Sequence, residues 1–132
     1  MENQFIISYR ELQVYETAFE SAMQVFEITQ TFPSEEQELL ALPMLQAARL
    51  VCIYISQAWQ RRRYASAFVA RLNQAEAEVA TTQVWLEFAV LCSYLDAEVG
   101  QELLHNYQEV LLRLSHIIEH ADVWILPANS QS

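Results

Sequence analysis

DAEVGQELLHNYQEVLLRLSHIIEHA, residues 96–121, decides the fold class. Val99, Leu103, Tyr107, Val110, Leu114, Ile117 and Ala121 recur at steps of three and four, which places them on one face of an α-helix. Asp96 stands where a helix wants an N-cap, and Gly100 weakens the first turn without breaking it. Polar residues fill most other positions. Such a stripe needs other helices to cover it.

Upstream, the same pattern repeats. Ser8-Tyr9-Arg10-Glu11 has the spacing of a capping box and opens a helix whose stripe is Leu12, Tyr15, Phe19, Ala22 and Phe26. Phe32-Pro33 ends it, because proline restricts its predecessor and donates no hydrogen bond. Ser34 is the next N-cap, with Glu35-Glu36 in the first turn and Gln37 three residues on, and this second helix runs to about Gln60. Pro43, about two turns in, is expected to bend it, since the ring clashes with the Leu39 carbonyl. An unbroken helix from Ser34 to Leu95 would be about 90 Å long, too long for this chain to cover, so a short turn belongs near Arg61–Tyr64. The third helix takes Ala65 to Leu95, with Phe68, Leu72, Val79, Leu86 and Val90 among its apolar positions. Four amphipathic helices with short connections predict an all-α, antiparallel up-down four-helix bundle. It is expected as one domain over 1–132, with flexible ends at about 1–7 and 127–132. The apolar tail Val123-Trp124-Ile125-Leu126 has no stripe to join and is expected to fold back against a bundle.

Composition narrows the alternatives. One glycine and three prolines are too few for the turns of a sandwich or barrel, and 53% hydrophobic residues exclude a disordered chain. Seven arginines and no lysine oppose seventeen acids, a net charge of −10 that argues against tight nonspecific binding to nucleic acid. The longest uninterrupted apolar run, Leu50 to Ile55, is far short of the ~18–20 residues that span a bilayer, so no membrane association is expected. Met1-Glu2-Asn3-Gln4 carries no basic leader, and Cys52 and Cys92 lie in apolar runs and read as two buried thiols. A cytoplasmic protein follows as the expectation.

Few constellations carry chemistry. His116-Ile117-Ile118-Glu119-His120 has the His-x-x-Glu-His order of inverted zincins, but only twelve residues follow it, with Asp122 their one carboxylate, to supply a third ligand. Glu102 and His105 match one Glu-x-x-His element of a di-iron site, yet all three histidines fall on one helix. No catalytic residue, metal or cofactor is therefore expected. Arg61, Arg62, Arg63 and Tyr64, with Arg71 beyond, are the candidate contact for RNA or an acidic partner, or else a solvated corner paired with carboxylates. The apolar excess points to self-association, with Tyr54, Trp59, Trp85, Trp124, Ile125 and Leu126 as interface candidates, Trp59 and Trp85 being equally readable as core.

Tyr9-Arg10-Glu11-Leu12, Val14-Tyr15, Ala18-Phe19-Glu20 and Phe32-Pro33-Ser34-Glu35-Glu36 resemble the opening helices of the family named after 23S ribosomal RNA intervening sequences, the S23-like four-helix bundles. Ala58-Trp59, Arg62-Arg63-Tyr64, Ala67-Phe68-Val69, Thr82-Gln83-Val84-Trp85-Leu86 and Tyr94-Leu95 continue the similarity. The resemblance implies a ring-like homopentamer without catalytic residues. It also implies distant kinship with basic accessory proteins of retroelements that bind RNA. The family's Asn-Ile-Ala-Glu stretch is Tyr54-Ile55-Ser56-Gln57 here, and lysine is absent throughout. The reading preferred from sequence is a non-catalytic oligomeric scaffold or adaptor for a protein partner. An RNA-associated accessory role for the Arg61–Arg71 segment, with weak binding, is the alternative.

Overall fold

The structure, a computed structural model, describes residues 8–126, so the ends expected to be flexible lie outside the described residues. The all-α expectation holds. The long helices are α1 (Gln13–Thr29), α2 (Leu42–Gln60), α3 (Ala65–Leu91) and α4 (Ala97–Glu119), followed by a single turn, α5 (Ala121–Trp124). α1 packs on α2, α2 on α3, α3 on α4, and α4 back on α1. One apolar core lies between them, with Met44, Ile55, Leu86, Leu103, Tyr107 and Leu114 fully enclosed.

Several boundaries fall where the chain marks them. The turn between α2 and α3 is Arg61–Tyr64. The capping box at Ser8 forms, its hydroxyl accepting from Arg10 N–H at 3.2 Å and Glu11 Oε1 from Ser8 N–H at 3.1 Å. It closes a 3-10 turn, Tyr9–Glu11, and α1 starts beyond it at Gln13. Phe32-Pro33 does follow the end of α1, but Ser34 is the first residue of a 3-10 turn, Ser34–Glu36, whose N-cap position is taken by Pro33. Gln37 serves that corner instead, donating from Nε2 to the carbonyls of Thr29 (3.0 Å) and Phe32 (2.9 Å). Across the same end, Tyr94 donates from its hydroxyl to Glu36 Oε2 at 2.9 Å.

Pro43 follows an irregularity in the hydrogen bonding of the second helix. Gln37–Ala41 form a π-helical turn, and the Leu42 N–H bonds back to the Gln37 carbonyl. Proline then sits in the first turn of α2, where a missing N–H costs least. The whole helical stretch Ser34–Gln60 is long and apolar enough to cross a bilayer by length and composition. Counting uninterrupted runs hid this, because single polar residues break a run without making the stretch polar. In the fold its apolar face, including Met44, Val51 and Ile55, is buried against the other helices.

Two stripes differ from expectation. In α1 the buried positions are Val14, Ala18, Ser21, Ala22, Val25 and Thr29, whereas Phe19 and Phe26 are 48% and 39% exposed. The helix is turned by about one residue so that small side chains face its neighbours. In α4, Gly100 is buried and Val99 is exposed, while Ala121 has moved into α5. A Cβ on Gly100 would overlap Val90 Cγ2 of α3, so this glycine allows a close helix approach. α3 also stops at Leu91 rather than Leu95. Ser93 adopts φ 63°, with Tyr94 N–H bonded to Ala89 O and Ser93 N–H to Val90 O, both characteristic of a Schellman stop. No glycine announces it.

Gly100→Ala should lower the denaturation midpoint, because overpacking costs about 1–3 kcal/mol against a helix-propensity gain of at most about 1 kcal/mol. In a Val90→Ala background the same change should instead stabilise, the propensity gain then acting alone. Ser93→Gly should raise stability by about 0.5–1 kcal/mol, since glycine enters the left-handed region without steric cost. Urea titration of the four proteins and of Ser93→Gly measures both.

Candidate functional site

The α2–α3 turn gathers three consecutive arginines and gives them different environments. Arg61 closes α2, its N–H bonding to Ala58 O at 2.9 Å, and Tyr64 N–H returns to Arg61 O at 3.1 Å. Arg62 lies inward. Its guanidinium carbon sits 3.5 Å from the centroid of the Trp59 ring, and its Nε donates to the Trp59 carbonyl at 3.0 Å. Burial pulls its pKa below the ordinary guanidinium value. Trp59 itself is buried and meets Trp124 edge-on at 6.5 Å. Leu126 N–H donates to Arg62 O at 3.0 Å, so the tail lies against the turn of its own chain.

Arg61, Arg63 and Tyr64 are exposed. The turn, Trp59 and Leu126 line a cleft of about 490 Å³. Arg71 stands apart on α3, donating to Gln74 Oε1 at 2.7 Å. The five-residue RNA candidate is therefore not one surface: Arg61, Arg63 and Tyr64 share an open edge, Arg62 is held by Trp59, and Arg71 has its own partner.

A second cavity, about 500 Å³, lies between the start of α1, the last turns of α4, and α5. His116 and His120 both border it, their rings 4.3 Å apart. His120 Nδ1 lies 2.9 Å from the His116 carbonyl. Arg113 bridges to Gln13 Oε1 (2.7 Å) and to Glu109 (3.5 Å) along the same wall. No group of three or more His, Cys, Asp or Glu side chains converges among the described residues.

The interface candidates divide similarly. Trp59 belongs to the core; Tyr54, Trp85, Trp124 and Ile125 are half-buried and pack against it, and Leu126 is half-buried against the turn. Large apolar side chains that sequence reading assigned to the core, or passed over, lie outside. On α1, Phe19 stacks on Tyr15 at 5.9 Å, and Met23 and Phe26 continue the row. Toward the end of α3, Val84, Phe88 and Leu91 are exposed, Leu91 by 83%, with Leu39 and Leu42 exposed before and at the start of α2. The signal was in the sequence: α1 has more large apolar residues than one helical stripe holds.

The cysteines also separate. Cys52 is buried and Cys92 is exposed, so the expectation of two buried thiols fails at Cys92, the C-cap of α3.

With this geometry in hand, the comparisons place the chain. Residues 10–116 match the family described as 23S rRNA-intervening sequence protein. The chain belongs to that family. The fold is similar to the crystal structure of a protein of unknown function from the S23 ribosomal protein family of Bacteroides thetaiotaomicron. That protein is 21% identical, with a TM-score of 0.73 covering 80% of this chain and 95% of the other. No curated protein matches the chain.

Burial raises the Cys52 thiol to about 11 from its usual 9.0, and the enclosed Tyr107 hydroxyl, which has no hydrogen-bond partner among the described residues, is raised as well. In the unfolded chain the Cys52 proton leaves near pH 9, in the folded one near 11. Stability is therefore fully present below about pH 9 and should fall as pH rises through that window, by at most about 1.4 kcal/mol per pH unit for each such proton. Cys52→Ala should flatten the decline in part, leaving the Tyr107 contribution. Thiol titration should find one group, Cys92, reactive in the native protein and a second only after unfolding.

Proposed function

We propose that this protein is a non-catalytic, cytoplasmic scaffold or adaptor: an antiparallel up-down four-helix bundle that assembles into a ring-like homopentamer and engages a protein partner. The observation that carries this reading is the exposed apolar surface, the Phe19, Met23 and Phe26 row together with Val84, Phe88 and Leu91. A lone soluble domain seldom leaves large apolar patches in water. Two exposed sets on different helices suit a ring, where one face of each copy meets a different face of the next.

The alternative is RNA association, favoured by the family description and by the open edge of Arg61, Arg63 and Tyr64. With Arg62 committed to Trp59, only two guanidinium groups face outward at the turn. Neutralising about two phosphates supports only weak binding, with a log–log salt slope of about −1.4 to −1.8.

Light scattering at micromolar concentration should give a mass several times 15.3 kDa. Phe19→Glu with Phe26→Glu, or Phe88→Glu alone, should reduce that mass while helix content by circular dichroism is unchanged. A wild-type protein that runs as a monomer overturns the assembly reading.

A further inference from the structure

Charge is segregated along this chain to an unusual degree. Between residues 39 and 74 there are five arginines and no aspartate or glutamate, so all seventeen acids lie elsewhere. At the turn in the centre of this stretch, as at Arg49 on α2, the fold leaves guanidinium groups unused, and the turn brings two of them together. Arg61 and Arg63 form no ion pair or side-chain hydrogen bond among the described residues. Had the turn been only a solvated corner, its arginines would be expected on neighbouring carboxylates.

The turn is also held in shape before anything binds. Arg62 is stacked on Trp59, and Leu126 N–H fastens the Arg62 carbonyl from the tail. A ligand arriving there has less chain to order, which lowers the cost of binding. Guanidinium forks match carboxylates in pairs of hydrogen bonds, which lysine does not do. The first turn of α3, Ala65-Ser66-Ala67, carries no acid, so the field of that helix end adds to the arginines rather than opposing them.

We propose that the cleft over the Gln60–Tyr64 turn is a docking site for an acidic peptide segment of the protein's partner. Arg61 and Arg63 receive its carboxylates, Tyr64 borders the path of its backbone, and Trp59, Trp124 and Leu126 act as positioning residues through Arg62. The inference rests on the adaptor reading and names the chemistry of the partner. The cleft, about 490 Å³, accommodates a few side chains of a peptide. RNA gains nonspecific affinity by spreading over many phosphates, and the two open arginines can neutralise only about two of them, whereas a short acidic segment needs no wider contact.

The test is fluorescence anisotropy of labelled hexaglutamate on the full chain at low ionic strength, with a hexanucleotide RNA in parallel. Wild-type protein should bind hexaglutamate, and Arg61→Ala with Arg63→Ala should weaken that binding at least about tenfold. The double variant should keep the wild-type mass and helix content, because neither side chain contacts the core. Absence of hexaglutamate binding, or binding that survives the double substitution, overturns the site. Tighter binding of the RNA through the same two arginines overturns the peptide assignment. Assembly is read separately: an oligomer that ignores hexaglutamate keeps the scaffold and loses the cleft, whereas a monomer that binds it through Arg61 and Arg63 keeps the cleft and loses the ring.

Discussion

Close helix contact through small side chains governs most of what this molecule does with its apolar residues. Ala18 and Ala22 of α1, Ala47, Ala48 and Ala58 of α2, and Ala75 and Ala89 of α3 are all buried, and Gly100 of α4 meets Val90 with no room for a methyl group. Helices that approach on such residues leave little space for phenylalanine between them. On α1 and late α3 the rings are displaced to the shoulders, so Phe19, Phe26 and Phe88 stand in solvent, while Phe68, Trp59 and Tyr107 belong to the core. The same packing that stabilises the fold leaves an apolar surface exposed.

At the opposite scale, a single indole organises the candidate site. Trp59 is held between the core and Trp124, and it takes up the middle arginine of three. Burying one guanidinium on a ring face converts a flexible basic run into a fixed turn with charges on its outer edge. The fold thereby sorts chemically identical neighbours into structural and available groups.

Sequence and structure agree where the responsible force is local or strongly periodic. Phe32-Pro33, the Arg61–Tyr64 turn and the Leu103-to-Ile117 stripe of α4 were legible for that reason. The orientation of α1 was not, because its apolar residues outnumber one face and tertiary packing selected the small ones. The Ser93 stop lacked its usual glycine, and the π-helical turn before Pro43 depends on bonding geometry that spacing does not encode. The arginine cluster could be found by eye; the fate of Arg62 could not, since Trp124 and Leu126 lie far along the chain from the turn they cover.

That separation has a consequence for biosynthesis. A chain made from its N-terminus exposes α2 and its arginine turn to the surroundings well before the tail is translated. Throughout that interval the edge of Trp59 that Trp124 will meet is open, and the Arg62 carbonyl lacks the N–H of Leu126. Completion of the turn is thus a late event, and the finished cleft exists only in molecules whose synthesis has passed Leu126.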